Sequence, residues 1–432
     1  MAWYHQAGTP RVTARGEYDA SAQRFTLIFR QMCPPTPGQA EKTPALIPVA
    51  VGLIDPVAQR DIDLGGTGTR VLQLTEPEQR FVFENIPVAP VPSLLRNFSA
   101  PVLLDYPYTD AELAQLLAHD SDPFNRWEAG QRLFGRLILN NTARLAHGEA
   151  MQWPDEVATA ARAVLLGDSA SAFIAEALTL PNEATLAEQM NVVDPEALFL
   201  ARNGLARSLA TALEADFSAA YARLAPAGDY RLDSAEAGRR RLRNACLDYL
   251  NRLDKADYRK LAFDQFAGAD NMTDQFGALA VLAQCDGPER PAALEAFYTR
   301  WQKEALVVDK WLSVQATSSL PGTLAQVEAL TRHPAYDARN PNKIYALLRG
   351  FGTNHRHFHA ADGGGYRFLA GQIAALDPVN PQVAARLARC FDRWRKFDAG
   401  HQTHARAALE SLRAQDGLSN DVAEVVGRSL SS

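Results

Sequence analysis

Apolar and polar residues alternate through the first part of the chain and then shift to a three-to-four spacing, and this change of period divides the sequence. Phe25, Leu27 and Phe29 interleave with Arg24, Thr26 and Arg30, the period-2 pattern of a strand with one buried face. Ile47, Val49, Val51 and Leu53 repeat it. Pro48 has no N–H to give a neighbour, so that strand is expected at a sheet edge. Phe81 and Phe83 alternate with Arg80, Val82 and Glu84. Turn signals at Gly16, Pro34–Gly38, Asp55-Pro56, Gly65-Gly66 and Glu76-Pro77 separate the runs. Short strands at this spacing predict a small β-sandwich of immunoglobulin type over residues 1–105. No Cys-Trp-Cys core accompanies it, so the likeness is one of architecture, and the segment carries no catalytic set.

From Tyr106 onward the period is helical. Thr109-Asp110-Ala111-Glu112 is a capping box leading into Leu113, Leu116 and Leu117. Ser121-Asp122-Pro123 opens a helix carrying Trp127, Phe134, Leu137 and Ile138 on one side. Asp194-Pro195 opens another through Leu198, Leu205, Leu209 and Leu213. Short polar turns recur near Asp168, Asn182, Gly228, Asp286-Gly287, Pro321-Gly322, Asn340-Pro341, Asp377-Pro378, Gly400 and Gly417, and no strand pattern returns. Residues 106–432 are therefore expected to be all-α, with stacked helix pairs of HEAT or armadillo style forming an α-solenoid. No strict repeat length is found, which leaves an irregular orthogonal bundle as the competing arrangement.

The stretch Asn354–Asp398 concentrates the candidate chemistry. A His- and Gly-rich loop precedes an apolar segment, Gly365–Leu376. After the Asp377–Pro381 break, a basic amphipathic helix is predicted, with Asn380 as N-cap and Pro381 at its first position. Gln382 and Arg386, four residues apart, share one face; Arg389, Arg393 and Lys396 continue a basic stripe. Val383, Leu387, Cys390, Phe391, Trp394 and Phe397 form the apolar side. His355, His357 and His359 alternate near Asp362, a weak metal-site pattern that reads first as a polar turn before a helix. Asp362-Gly363-Gly364-Gly365 has the composition of an anion cradle or of a flexible helix entry. Arg239, Arg240, Arg241 and Arg243 read as a solvated face with ion pairs, and Asp309-Lys310-Trp311 as packing plus a salt bridge.

Composition narrows the field. The 432 residues are 47% hydrophobic and 22% charged, ordinary for a globular chain, and the net charge of -6 argues against general nucleic-acid binding. Four scattered cysteines without a C-x-x-C pair read as thiols of a reducing, cytoplasmic compartment. No apolar run is long enough to span a bilayer, so no membrane partner is expected. There is no H-E-x-x-H helix, no phosphate-binding G-x-x-x-x-G-K-[ST] loop and no G-x-S-x-G elbow.

A series of short segments carries a family resemblance. In order they are Trp3–Pro10, Pro90–Val102 (PVPSLLRNFSAPV), Arg126–Gln131 (RWEAGQ), Leu242–Leu247 (LRNACL), Asn271–Asp274 (NMTD), Leu306–Trp311 (LVVDKW), Asn340–Lys343 (NPNK), Phe358–Leu369 and Asn380–Leu387 (NPQVAARL). By these the chain resembles, over its whole length, the C-terminal half of bacterial aminopeptidase N, a zinc metallopeptidase of the gluzincin class. The resemblance implies a β-sandwich and a helical domain that cap a catalytic domain of the same polypeptide, wall off a chamber and limit entry to small peptides. It implies no cofactor in this chain and zinc in the parent enzyme, because the G-A-M-E-N segment and the zinc ligands are absent here. The chain alone is then expected to be inactive. It places Gln382 and Arg386 on the substrate channel as positioning residues, a role that paired guanidinium donors suit. The Met1-Ala2 pair before Trp3 is expected to be an engineered or truncated start. Two other readings compete: a stand-alone helical-repeat scaffold for a protein partner, and an enzyme built on the His355–Asp362 loop.

Overall fold

In the computed structural model, the alternating runs of the first hundred residues are strands; the positions the period selects are buried or half-buried, and Ile28, Ala50 and Ile54 on the opposite faces are buried as well. The structure describes residues 2–226, 228 and 230–431; Met1, which enters the expectation about the chain's start, lies outside them. One sheet has the order β6-β2-β1-β8, built from β1 (Arg11–Asp19), β2 (Arg24–Met32), β6 (Glu78–Phe83) and β8 (Leu103–Asp105). The β1–β8 pair is parallel and the others antiparallel. The second sheet centres on β3 (Ile47–Asp55), which pairs antiparallel with β4 (Arg60–Asp61), β5 (Arg70–Leu74) and β7 (Val91–Leu94). Phe25, Leu27 and Phe29 from one sheet and Ile47, Val49, Val51 and Leu53 from the other meet in a single apolar core.

Pro48 does not put β3 at an edge throughout. Over Ile47–Ala50 the strand has only β5 beside it, while β7 joins from Val51 onward. On the open side Ser99 Oγ accepts the Ala50 N–H at 3.0 Å. The proline therefore sits where the strand is locally unpaired on one flank, and the central half of the strand lies beyond it.

β7 leads into a turn in which Leu95, Asn97 and Phe98 all have positive φ, between 50° and 60°. This backbone aims Arg96, 2% exposed, inward under β3. Its guanidinium donates to Ser93 Oγ, to both oxygens of Asp61, to Gly68 O and Thr69 Oγ1, and to Asp120 Oδ1, at 2.7 to 3.0 Å. Gly52 is required beneath it, since a Cβ there would lie 2.0 Å from Arg96 Cζ. Asp120 follows the Asp110–His119 helix, whose capping box is formed as expected: Thr109 Oγ1 accepts from Glu112 N at 3.2 Å and Glu112 Oε2 from Thr109 N at 2.7 Å. The sandwich, Asp110–His119 and the Asp155–Leu166 helix belong to one compact unit, Met1–Arg136 with Trp153–Thr179.

The second unit, Leu137–Gln152 with Leu180–Ser432, is helical. Many of its helices pack on the next one or two along the chain, as in Ala256–Gly268 on Met272–Leu282 and Gly364–Leu376 on Ala399–Arg413, while His355–Phe358 packs on the distant Pro195–Ala212. Local sequence starts many of them: Asn182, Asp194, Asp233, Asn271, Asn340, Asn380 and Asp398 each accept a backbone N–H of the first turn. After β8 the described residues contain only an isolated bridge between Val193 and Phe397. No helix among them is long and apolar enough to cross a membrane.

Candidate functional site

The predicted basic helix is shorter than its pattern suggests. It spans Pro381–Ala388, with Asn380 Oδ1 accepting from Val383 N at 3.2 Å, and then tightens into two 3-10 turns, Arg389–Phe391 and Trp394–Lys396. Long-range bonds draw the later backbone out of the helix. Lys396 O accepts from Val193 N at 2.7 Å, and the Trp394 indole donates to Ser429 O at 2.9 Å. The apolar side is buried as expected at Val383, Leu387, Phe391, Trp394 and Phe397. Gln382 and Arg386 both lie on the exposed face.

A residue from another element joins them. After Pro341–Ile344 the backbone widens into one π-turn, Tyr345–Arg349, and Arg386 Nη1 reaches the Tyr345 hydroxyl at 3.4 Å. Such turns displace side chains from the α-helical register and are frequent at functional sites. No spacing rule applied to the sequence marks Tyr345; the only signal is the N-capped, Pro-started helix ahead of it.

Beyond Arg386 the exposed face runs to Arg389 and Arg393, and these, with the half-buried Cys390, line a cleft of about 490 Å³ that has His355, His359, Lys396, Phe397 and Glu188 among its walls. Arg393 and Lys396 both pair with Glu188, the latter at 3.4 Å, and Arg389 pairs with Asp392 at 3.1 Å. Burial pushes the Cys390 thiol up to about 11 against the opposing charge of Arg349.

The histidine loop is a packing element in this structure. His359 Nδ1 lies 2.8 Å from the Tyr366 hydroxyl, and its ring stacks on Phe397 at 3.9 Å; His355 meets it edge-on at 5.2 Å. Burial lowers the pKa of His355 and His357, and that of His359 far below the usual value, so all three are neutral near pH 7. Among the described residues no three His, Cys, Asp or Glu side chains are gathered to hold a metal ion. The described residues therefore offer no ligand set of the kind a catalytic zinc needs. The Asp362 carboxylate accepts from Gly364 N at 2.8 Å, filling the entry of the Gly364–Leu376 helix with its own anion.

The other singled-out clusters are structural. Arg239 and Arg240 pair with Glu236, and Arg243 lies over the Tyr221 ring at 4.3 Å while donating to its hydroxyl at 3.0 Å. Asp309 pairs with Lys343 at 2.8 Å, Lys310 sits over Phe276, and the Trp311 indole donates to Leu294 O.

Comparison with known proteins covers the whole chain. Residues 8–107 match the family model described as "Domain of unknown function (DUF3458) Ig-like fold", and residues 110–431 match "Domain of unknown function (DUF3458_C) ARM repeats". The expected order of an Ig-like sandwich and then helical repeats is thereby borne out. Aminopeptidase N of Escherichia coli is 40% identical over 434 residues, that of Caulobacter vibrioides 39% over 437, and that of Haemophilus influenzae 35% over 432. Each match takes in 99% of this chain and 49 to 50% of the relative, so the chain spans about half the length of the curated relatives it matches. A crystal structure of Legionella pneumophila aminopeptidase A in complex with aspartic acid aligns with a TM-score of 0.82 at 30% identity, over 99% of this chain and 49% of that one. These matches bear out the resemblance carried by the short segments.

Proposed function

Because the chain belongs to the DUF3458 family and is homologous to the C-terminal half of aminopeptidase N, we propose that it is the non-catalytic part of a zinc-dependent aminopeptidase that removes N-terminal residues from peptides. The observation that carries this reading is the end-to-end match to half of each relative, joined to a set of described residues with no gathered metal ligands. In this reading the sandwich, residues 1–105, and the helical domain, residues 106–432, cap a catalytic domain of the same polypeptide. They shape the chamber through which small peptides pass, while the zinc and the bond-breaking groups belong to the other half. A cytoplasmic location fits four cysteines that all remain unpaired.

Gln382 and Arg386 are the proposed substrate-positioning residues. Their exposure on one helix face supports the role, as does the Tyr345 hydroxyl beside Arg386. A guanidinium there offers paired donors to a peptide carboxylate or carbonyl. In the full-length protein, Arg386→Ala should reduce kcat/KM on di- and tripeptides by about tenfold or more, the worth of a charge-assisted hydrogen bond. Hydrolysis of amino-acid anilides, which lack the downstream residue, should change much less. Equal losses on both substrate types would remove Arg386 from the channel. A full-length protein without zinc-dependent release of N-terminal residues would remove the aminopeptidase reading itself.

A further inference from the structure

The exposed face that carries Gln382 and Arg386 does not end with them. Arg389 lies three residues beyond Arg386 on the same side, and Arg393 and Lys396 follow on the 3-10 turns. Alongside runs the π-turn: Tyr345 touches Arg386, and Arg349, four residues on, acts electrostatically on Cys390. The basic side chains of Arg389, Arg393 and Lys396 thus line the cleft as a band together with His355, His359 and Phe397, and Arg386 precedes them on the exposed face. Against them stand the carboxylates of Glu188 and Asp392, and the histidines add no charge near pH 7.

We propose that this band is a docking track for the acidic portion of a short peptide, its downstream Asp or Glu side chains and its C-terminal carboxylate. The inference rests on the peptide-handling reading above and extends it to the class of peptide preferred. Glu188 shows what the track accepts, because this internal carboxylate already sits between Arg393 and Lys396. Lys396 also donates to Ala187 O and Glu188 O, which fixes its ammonium at the cleft wall. The ion pairs in place are weak ones: Arg389 and Arg393 keep 65% and 62% of their side-chain surface in water. Exposed pairs contribute little, so an incoming carboxylate can take either guanidinium at small cost. The cleft volume of about 490 Å³ is in the range of sites that enclose small ligands. The track is a local feature of a chain whose net charge is -6, which disfavours a nucleic acid as the occupant.

The test uses this chain and two tetrapeptides, Ala-Ala-Glu-Glu with a free carboxylate and Ala-Ala-Gln-Gln amide, measured by isothermal titration calorimetry at low and at physiological ionic strength. The acidic peptide should bind about tenfold tighter or better, with the advantage shrinking as salt screens it. The double variant R389Q/R393Q changes only exposed side chains and should abolish most of the advantage; R393Q alone should remove part of it. Equal affinity for the two peptides, or an advantage untouched in both variants, overturns the track. Hydrolysis of the same pair by the full-length protein separates this from the parent reading. Acid-selective binding without any hydrolysis sinks the aminopeptidase and leaves the track. Hydrolysis with no acid selectivity in binding does the reverse.

Discussion

Replacing Arg96 by Met tests whether the buried guanidinium holds the sandwich to its first helix. The side chain is 3% exposed, and Asp120, one of its partners, is fully buried. Methionine fills much of the same volume but leaves Asp120 and Asp61 without their cation. Removing one partner of a buried ion pair costs about 3–5 kcal/mol, because the remaining charge stays desolvated. Ser93 Oγ and Asn125 Nδ2 soften this only partly. Ser93 still donates to Asp120 Oδ2 at 2.6 Å, while the Asn125 amide bonds Ser93 and Leu94 O and never reaches the carboxylate. Taking about 4 kcal/mol and a shift of about 2–4 °C per kcal/mol for a body of this size, the unit's melting temperature should drop by roughly 8–16 °C. Thermal melts followed by circular dichroism would measure the shift, and urea melts the free-energy loss. Adding Asp120→Asn should recover part of the loss, since it removes the stranded charge. A single R96M variant within about 1 kcal/mol of the wild type would refute the argument, for it would mean that water or rearrangement satisfies Asp120 at no cost.

Two further changes read other parts of the structure. Gly365→Ala should destabilise by about 1–3 kcal/mol in the same urea assay. Its Cβ would lie 2.5 Å from Phe358 O and 2.6 Å from His357 O, backbone atoms that cannot swing aside; an unchanged midpoint would show that the His355–Phe358 turn yields freely. Stability should also fall on acidification below about pH 6.5, the ordinary histidine value. Burial holds His359 far below that value and His355 below it, so folding favours their neutral forms. That contribution is complete above the unfolded pKa and is lost as pH falls toward the folded one. His359→Gln should flatten this part of the profile, and an identical slope in the variant would assign the acid sensitivity elsewhere.

What the sequence reveals and what it hides follow from the range of the interactions involved. Thr109 and Glu112, Asp194 with Pro195, and Asn380 with Pro381 are legible because a cap is settled within four residues. Phe25, Leu27 and Phe29 are legible because a strand's two faces are a local alternation. The end of the basic helix at Ala388 is hidden. Nothing between Arg389 and Lys396 forbids a helix, and the Val193 amide and the Ser429 carbonyl that recruit the later backbone are remote in sequence. Arg96 is hidden for the same reason. Its partners Asp61, Ser93 and Asp120 come from three separate segments, and only the folded β3–β7 corner brings them within hydrogen-bond reach.

The candidate site divides along the same line. Gln382 and Arg386 can be paired from their i, i+4 spacing alone, and the family resemblance gives that spacing a meaning. Tyr345 cannot, because it meets Arg386 only through a π-turn that no spacing rule anticipates. The histidines show the opposite failure. His355, His357 and His359 carry a weak ligand pattern in the sequence, yet the structure spends His355 and His359 on aromatic contacts with Phe397, Phe358 and Tyr366, and sets His357 against the backbone of Ser319 and Leu320. Residue type is therefore a poor guide here in both directions. The chemically conspicuous residues are packed and neutral, while the positive charge that faces solvent comes from arginines that composition alone would assign to an ordinary solvated helix. The distinction lies in where the charge stays in water, with Arg389 and Arg393 in exposed pairs beside a cleft that the sequence does not disclose.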